Sequence, residues 1–492
     1  MPVDLSNQIL NIFLYNPEQP LLFNSSYFFI GFIIFYLVFI FIKDQVTIRT
    51  LYLFLFSVFF YYKSSGCWFW ILLLSTVIDY SLVFAIDRNR GTFRAKWLLA
   101  ASLISNLSIL GYFKYTNFFL ATGYYFLGKE WHSTDIFLPV GISFYTFQTL
   151  SYSIDIYRGR MKPVKSILDF GFFVAFFPQL VAGPIVRAID FIPQIRKKIV
   201  LSDNDIGRGL ALIIGGLFKK AVISDYISVN FVDRVFDQPA LYSGFENLMA
   251  VYGYAVQIYC DFSGYSDMAI GLGLLMGFHL PENFRLPYQS LSLTDFWRRW
   301  HISLSSWLRD YLYYGLGGNR KGPWRTYINL LLTMLLGGLW HGANWKFVFW
   351  GAMHGSILAV EKKLATIFPS YLNPTRWWSK GLAWFWTFHF VCFCWIFFRA
   401  TSFADAWLVL KRIALAFNPQ IGREWLVGYP VVSALLVLGF FSHFISETVI
   451  KKIMNYFILT PWPLKSAVLA MTIWIVIQIS SSEIVPFIYF QF

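Results

Sequence analysis

Apolar runs recur from residue 21 onward, separated by short polar segments. A helix needs about 20 apolar residues to cross the hydrocarbon of a bilayer, and at that length the runs amount to roughly eleven spans. Several, such as Leu51–Tyr62, are shorter and are expected to be tilted or partial. No internal repeat and no low-complexity linker interrupts the series. The pattern predicts an all-α, polytopic integral membrane protein in which residues 1–492 form a single membrane domain, with re-entrant and amphipathic helices beside the spans.

Three stretches depart from the ordinary pattern. Between Phe177 and Arg187 two prolines and a glycine interrupt an apolar run. A helix cannot pass intact through Gly183-Pro184, which predicts a re-entrant segment or a bent span. From Gln257 to Gly271 an otherwise apolar stretch carries Asp261 and Asp267. From Leu293 to Gly315 the chain is rich in arginine. There Thr294 is a suitable N-cap, and Asp295 in the first turn suits the helix dipole. On a helical wheel Trp297, Trp300, His301, Leu304, Trp307, Leu308 and Tyr311 share one arc, and the opposite arc carries Arg298, Arg299 and Arg309. Thr294–Tyr313 is therefore predicted to be an amphipathic helix in or near the cytoplasmic interface, with His301 at the edge of its apolar face.

Composition agrees with the pattern. Charged residues make up 13% of the chain, against 57% hydrophobic and 21% aromatic. A soluble domain carries about 25% charged residues. The net charge of +14 does not point to nucleic acid here, because the basic residues cluster between spans: Arg88 to Lys96, Arg158 to Lys165, and Arg196 to Lys198. Such clusters mark loops that face the cytoplasm and its anionic leaflet. The alternate loops, Ser64–Gly66 and Gly128–Asp135, are short and poor in basic residues, so Tyr27–Ile42 is expected to start outside and Lys43–Arg49 to lie inside. The first twenty residues lack the signature of a cleavable signal peptide, and the first span is expected to serve as its own insertion signal. Cys67, Cys260, Cys392 and Cys394 show no metal spacing and read as small core hydrophobes.

The candidate chemistry centres on two histidines. His341 lies in Gly337-Gly338-Leu339-Trp340-His341-Gly342, between the apolar run 327–336 and a second run, Trp345 to Val360. Three glycines around Trp340 and His341 predict a helix break at membrane depth, where an ionisable residue is a functional candidate. Imidazole can take a proton from a hydroxyl as that hydroxyl attacks an acyl carbonyl. The alternative is a buried histidine bonded to a carbonyl that the break frees, and spacing alone leaves both open. His301 is open to the same two readings, with a structural role the simpler one. Arg298, Arg299 and Arg309 could hold a phosphate or pyrophosphate of an acyl donor, or equally lipid headgroups. Asp261 and Asp267, six residues apart, could orient a histidine, pair with an arginine or fix helix packing. His132, His279, His389 and His443 have no comparable setting. His354, on a helix capped by Asn344, reads as packing behind the site. The glycines from Gly271 to Gly277 read as helix packing, and no Gly-x-Ser-x-Gly elbow or zinc motif is present.

Taken together, these strings resemble the membrane-bound O-acyltransferase (MBOAT) family, and within it the bacterial branch that acetylates extracellular polysaccharides such as alginate. The matching segments are Pro178–Arg187 (PQLVAGPIVR), Asp261–Gly271 (DFSGYSDMAIG), Asp295–Ser305 (DFWRRWHISLS), Trp307–Tyr313 (WLRDYLY), Gly317–Gly322 (GGNRKG) and Gly337–Asn344 (GGLWHGAN), with Leu22–Ser25 (LFNS) near the start. The resemblance implies the MBOAT fold, a ring of tilted helices around a funnel. It assigns His341 as the catalytic histidine and His301 as the second, upstream one. It also implies acetyl transfer from cytoplasmic acetyl-CoA, a periplasmic acetyltransferase partner and an extracellular polysaccharide acceptor, in the bacterial inner membrane. No permanently bound cofactor and no metal is expected. A sister branch moves D-alanine onto teichoic acids. A rival from another class, a transporter or acyl-conducting channel without its own chemistry, would show inverted repeats and paired broken helices, and neither is visible here.

Overall fold

The computed structural model describes residues 13–479 except 18–19, 24, 182, 369–371 and 373. Asn24 and Ala182 of the motifs above, and the chain after residue 479, lie outside the described residues. The described residues form helices, turns and loops, with no strand among them. They fall into two compact units, one made of 1–209 with 268–281 and the other of 210–267 with 282–492.

The first unit contains α1 (Ser26–Ile42), α2 (Val46–Ser65), α3 (Phe69–Arg88), α4 (Phe93–Leu110), α5 (Thr116–Phe126), α6 (Ile142–Tyr157), α7 (Ile167–Ala175) and α8 (Ala188–Ile195). Ser25 caps α1 by accepting from the Phe28 N–H. The proline-rich stretch behaves as a break: α7 ends at Ala175, one turn forms over Phe177–Leu180, and residues 183–187 are irregular ahead of α8. Phe177 fills the break. Its ring lies 5.1–6.3 Å from those of Phe23, Phe28, Phe32, Phe35, Phe56 and Phe60. Where α3, α4 and α6 meet, the buried Asp79 accepts from Ser102 at 2.6 Å and Asn106 at 2.8 Å. Asn106 in turn accepts from Ser75 and Thr149.

The second unit is built on α9 (Asp203–Leu217), whose last residues it contains, and the long α10 (Gly244–Leu275), which it shares up to Asp267. Then follow α11 (Leu293–Arg299), α12 (Ile302–Trp307), α13 (Gly322–His341), α14 (Trp345–Ile367), α15 (Trp377–Arg399), α16 (Phe403–Leu415), α17 (Ile421–Gly428), α18 (Pro430–Phe444), α19 (Glu447–Leu459) and α20 (Trp462–Ile479). Wide-turn π segments occupy Phe218–Ser224, Ser228–Val232 and Leu308–Tyr313.

Among the described residues three helical stretches are long and apolar enough to cross a membrane: Val46–Arg88, Phe93–Phe126 and Trp377–Arg399. Counting the bent pairs α17–α18 (96°) and α19–α20 (116°) gives up to five. That is fewer than the eleven apolar runs predict, for a physical reason. A helix walled by other helices need not be apolar. α6 buries Ser143, Thr146, Gln148, Thr149, Ser151, Ser153 and Asp155 along its length. Cys260, Cys392 and Cys394 are buried as expected, whereas Cys67 is exposed in the short turn Gly66–Trp68 that joins α2 to α3.

The glycines around His341 do not break the helix. α13 runs through Gly337 and Gly338 to His341, and only Gly342 leaves it, in extended conformation. Glycine is needed there for close packing instead. A Cβ on Gly338 would collide with the Phe347 carbonyl, one on Gly351 with the Met334 carbonyl, and one on Gly355 would press on Leu331 Cα at 3.0 Å. Small residues let α13 and α14 touch backbone to backbone. Gly351→Ala is therefore expected to cost about 1–3 kcal/mol by overpacking. Gly381→Ala, on α15 with open space around it, should be neutral or raise stability by about 0.5–1 kcal/mol. Thermal unfolding midpoints in detergent decide this, and equal midpoints for the two variants would remove the packing role.

Candidate active site

His341 is the last residue of α13 and is 3% exposed. Its ring meets Trp350 edge to face at 5.1 Å and Phe398 at 5.4 Å. Asn344 caps α14 by accepting from the Lys346 N–H, as its position predicts. The Lys346 ammonium donates to the Ala400 carbonyl at 2.6 Å and the Phe398 carbonyl at 3.4 Å. A lysine thus closes the end of α15 and holds Phe398 against the histidine.

The arginine-rich segment differs from its prediction in three ways. Its N-cap is Ser292, which accepts from the Asp295 N–H at 3.1 Å. Thr294 is bound elsewhere: Glu361 on α14 accepts from the Leu293 N–H (2.7 Å), the Thr294 N–H (2.9 Å) and the Thr294 hydroxyl (2.7 Å). The segment is also not one helix. α11 ends at Arg299, Trp300 is extended, and His301 takes left-handed backbone angles (φ 44°, ψ 55°) before α12 begins. His301, expected at the edge of the apolar face, is wholly buried. Its ring lies 4.6 Å from that of Phe262 and 6.0 Å from that of Trp340, whose indole lies 5.0 Å from the His341 ring. The structure thus brings the two candidate histidines to the same tryptophan.

Arg298 and Arg309 are exposed, and Arg299 is half-buried. Arg299 pairs with Asp295 at 3.0 Å, and Arg309 with Asp310 at 2.7 Å. Their guanidinium groups remain within reach of solvent, as a phosphate site or a headgroup site needs. His354 is buried on α14: its Nδ1 accepts from the Trp297 indole at 3.3 Å, and its ring lies 4.5 Å from Trp350. It packs behind the Trp350 that touches His341, in line with the sequence reading.

Asp261 and Asp267 meet lysines, not arginines. Lys219 pairs with Asp267 and donates to Ser263 at 3.2 Å. Lys220 lies 2.5 Å from Asp261 and 2.7 Å from Asp225. Both lysines come from the π segment Phe218–Ser224, and its close approach requires Gly264, where a Cβ would press on the Gly216 carbonyl at 2.7 Å. π segments recur at functional sites because they re-aim side chains. Sequence reasoning missed Lys219, Lys220, Glu361, Lys346 and Asn283. The Lys219-Lys220 pair inside an apolar stretch was the one visible signal. Among the described residues no group of three His, Cys, Asp or Glu side chains could hold a metal ion.

The family model described as "MBOAT, membrane-bound O-acyltransferase family" matches residues 163–404. The probable alginate O-acetylase of Pseudomonas aeruginosa is 43% identical over 359 residues, covering 70% of this chain and 67% of that protein. The peptidoglycan O-acetyltransferase of Helicobacter pylori is 38% identical over 427 residues, 80% of this chain and 79% of that one. The teichoic acid D-alanyltransferase of Bacillus subtilis is 30% identical over 280 residues, 54% and 69% respectively.

Lys220 faces two carboxylates, so removing it takes the shared cation away from the buried Asp261 and the half-buried Asp225. Lys220→Met is expected to cost about 3–5 kcal/mol. Asp225→Asn leaves one lysine facing one aspartate and should be far milder. The yield and melting midpoint of each variant check the order, and a Lys220→Met protein as stable as Asp225→Asn would refute the charge argument.

Proposed function

The chain belongs to the membrane-bound O-acyltransferase family, a multi-pass membrane O-acyltransferase, and from that premise we propose that it moves acetyl from a cytoplasmic thioester, acetyl-CoA, to a glycan hydroxyl outside the cytoplasmic membrane. The observation that carries this reading is the seat of His341. It stands at the last helical residue before extended Gly342, enclosed by Trp340, Trp350 and Phe398. His341 takes the proton of the acceptor hydroxyl as its oxygen attacks the acetyl carbonyl carbon. The carbon–sulfur bond breaks, and the proton passes from His341 to the departing thiolate. The products are the acetyl ester and free CoA.

His301 assists from the other side of Trp340. Arg298, Arg299 and Arg309 give a diphosphate-bearing donor its positive partners. The acceptor is an extracytoplasmic polysaccharide or cell-wall glycan, reached directly or through a periplasmic acetyltransferase partner. The bacterial inner membrane is the setting that basic loops between spans support, with short and protein-walled helices completing about eleven crossings. Acetyl is favoured over D-alanyl because the acetyltransferase relatives match at 43% and 38% identity over most of the chain, against 30% over 54% for the D-alanyltransferase.

Two outcomes test this. His341→Ala should lower acetyl transfer by at least about 10²-fold, with the protein present in the membrane at its usual level. His301→Ala should fall less, and the double variant should be no worse than His341→Ala alone, since residues acting as a unit are not additive. Wild-type transfer by a well-expressed His341→Ala protein would remove His341 from the mechanism. For the arginines, Arg298→Ala and Arg309→Ala should each raise the KM for acetyl-CoA by about tenfold, the worth of a lost charge-assisted contact. The KM for the glycan should stay unchanged. Unaltered donor kinetics in both would assign these arginines to lipid headgroups.

A further inference from the structure

His301 occupies an unfavourable backbone region, and the loop that holds it there explains more than its position. Among the described residues two non-glycine residues have positive φ, His301 (44°) and Leu286 (46°). Left-handed angles cost a side chain-bearing residue about 1–2 kcal/mol, and they persist where the surroundings over-determine them. The two residues sit on facing segments that are clasped together. The Arg285 N–H donates to the Arg299 carbonyl at 2.9 Å, and the Ile302 N–H donates to the Asn283 carbonyl at 2.9 Å. The Asn283 side chain completes the clasp. Its Oδ1 lies 3.2 Å from the Ser303 N, 2.9 Å from the Ser303 hydroxyl and 3.0 Å from His301 Nδ1. Its Nδ2 donates to Ser266 on α10 at 3.2 Å.

This geometry decides a proton. The Ser303 backbone N–H can only donate, so the Asn283 atom that faces it must be the carbonyl oxygen and not the amide nitrogen. The same oxygen faces His301 Nδ1, which therefore carries the hydrogen. In the neutral ring the lone pair is then on Nε2. From this we infer that Asn283 is a positioning residue that fixes the tautomer of His301, so that Nε2 accepts a hydrogen bond from a neighbouring hydroxyl of the glycan acceptor and orients it, while His341 takes the proton of the attacking hydroxyl. The inference rests on the acetyl-transfer reading above.

The partner's chemistry matters as much as its place. An amide oxygen holds the Nδ1–H without adding the negative charge that would favour imidazolium. A carboxylate in the same position would hold the same tautomer and favour the charged ring. The charged groups on α10, α11 and the clasp are matched or exposed, and His341 lies beyond Trp340. Asp261 and Asp267 on α10 pair with lysines, Glu282 pairs with Arg285, and Arg299 with Asp295. Arg298 is exposed, and His341 lies across the indole.

The test is the pH dependence of acetyl transfer from acetyl-CoA in membranes that carry the full chain. Asn283→Asp should keep most of its activity at high pH and move the acid limb of the kcat profile upward by about one unit or more, because the ring must then lose a proton before Nε2 can accept. Asn283→Ala should lower kcat by about 10–100-fold, the usual effect of removing a ring-orienting partner, with the KM for acetyl-CoA within twofold. An Asn283→Asp profile that overlays the wild type overturns the inference, as does a folded Asn283→Ala protein with wild-type kcat. If Asn283→Ala does not accumulate, the Asn283→Asp profile alone decides. His301→Ala in the same assay separates this inference from its premise. Wild-type kcat there would dismiss His301 from the reaction altogether. A slow His301→Ala beside an unshifted Asn283→Asp would leave His301 in place and remove only Asn283.

Discussion

A polar atom buried at the depth of the lipid chains has no water to turn to, so its partner must come from the chain itself. Much of this structure follows from that one demand. Asp79 gathers Ser102 and Asn106 where three helices of the first unit meet. In the second unit Lys220 draws Asp225 and Asp261 around one ammonium group, and Glu361 closes the first turn of α11. Each group would cost several kcal/mol if left alone. Together they fix which helices can touch and at what height. They also explain why so many helices here are polar along their length and yet belong to a membrane protein.

Glycine lets these partners come close enough. The segment Asp261–Asp267 is the clearest case. Gly264 at its centre admits the backbone of the π segment, which places Lys219 and Lys220 against Asp267 and Asp261. Ser266 in the same segment receives the amide of Asn283, which in turn holds His301. One short motif therefore supports both the ion pairs and the strained turn beside the candidate site. The α13–α14 hairpin uses the same device: Gly338 and Gly351 bring two backbones into contact, so that His341 and Trp350 face each other across the junction.

Much was legible in the residues alone. Apolar runs, few charges and basic inter-span clusters specify a helical membrane protein, because lipid tolerates nothing else at that density of apolar side chains. Local context made His341 and His301 candidates, and the longer strings around them carried the resemblance to the family. Asn344 as a cap and His354 as packing behind the site were also legible, since capping and burial are local or compositional properties.

What the residues could not decide were the choices made by distant partners. Gly337 and Gly338 look like helix breakers in isolation, and only the arrival of α14 makes an unbroken helix favourable there. The arginine-rich segment has the periodicity of one helix. It turns at His301 because Asn283, eighteen residues earlier, supplies the hydrogen bonds that a left-handed residue needs. Thr294 has the chemistry of a cap but is claimed by Glu361, far along the chain. Sequence by itself determined the solvent, the chemistry available and the family. Only the tertiary structure decided which polar group meets which, because in a low-dielectric interior that pairing outweighs every local propensity.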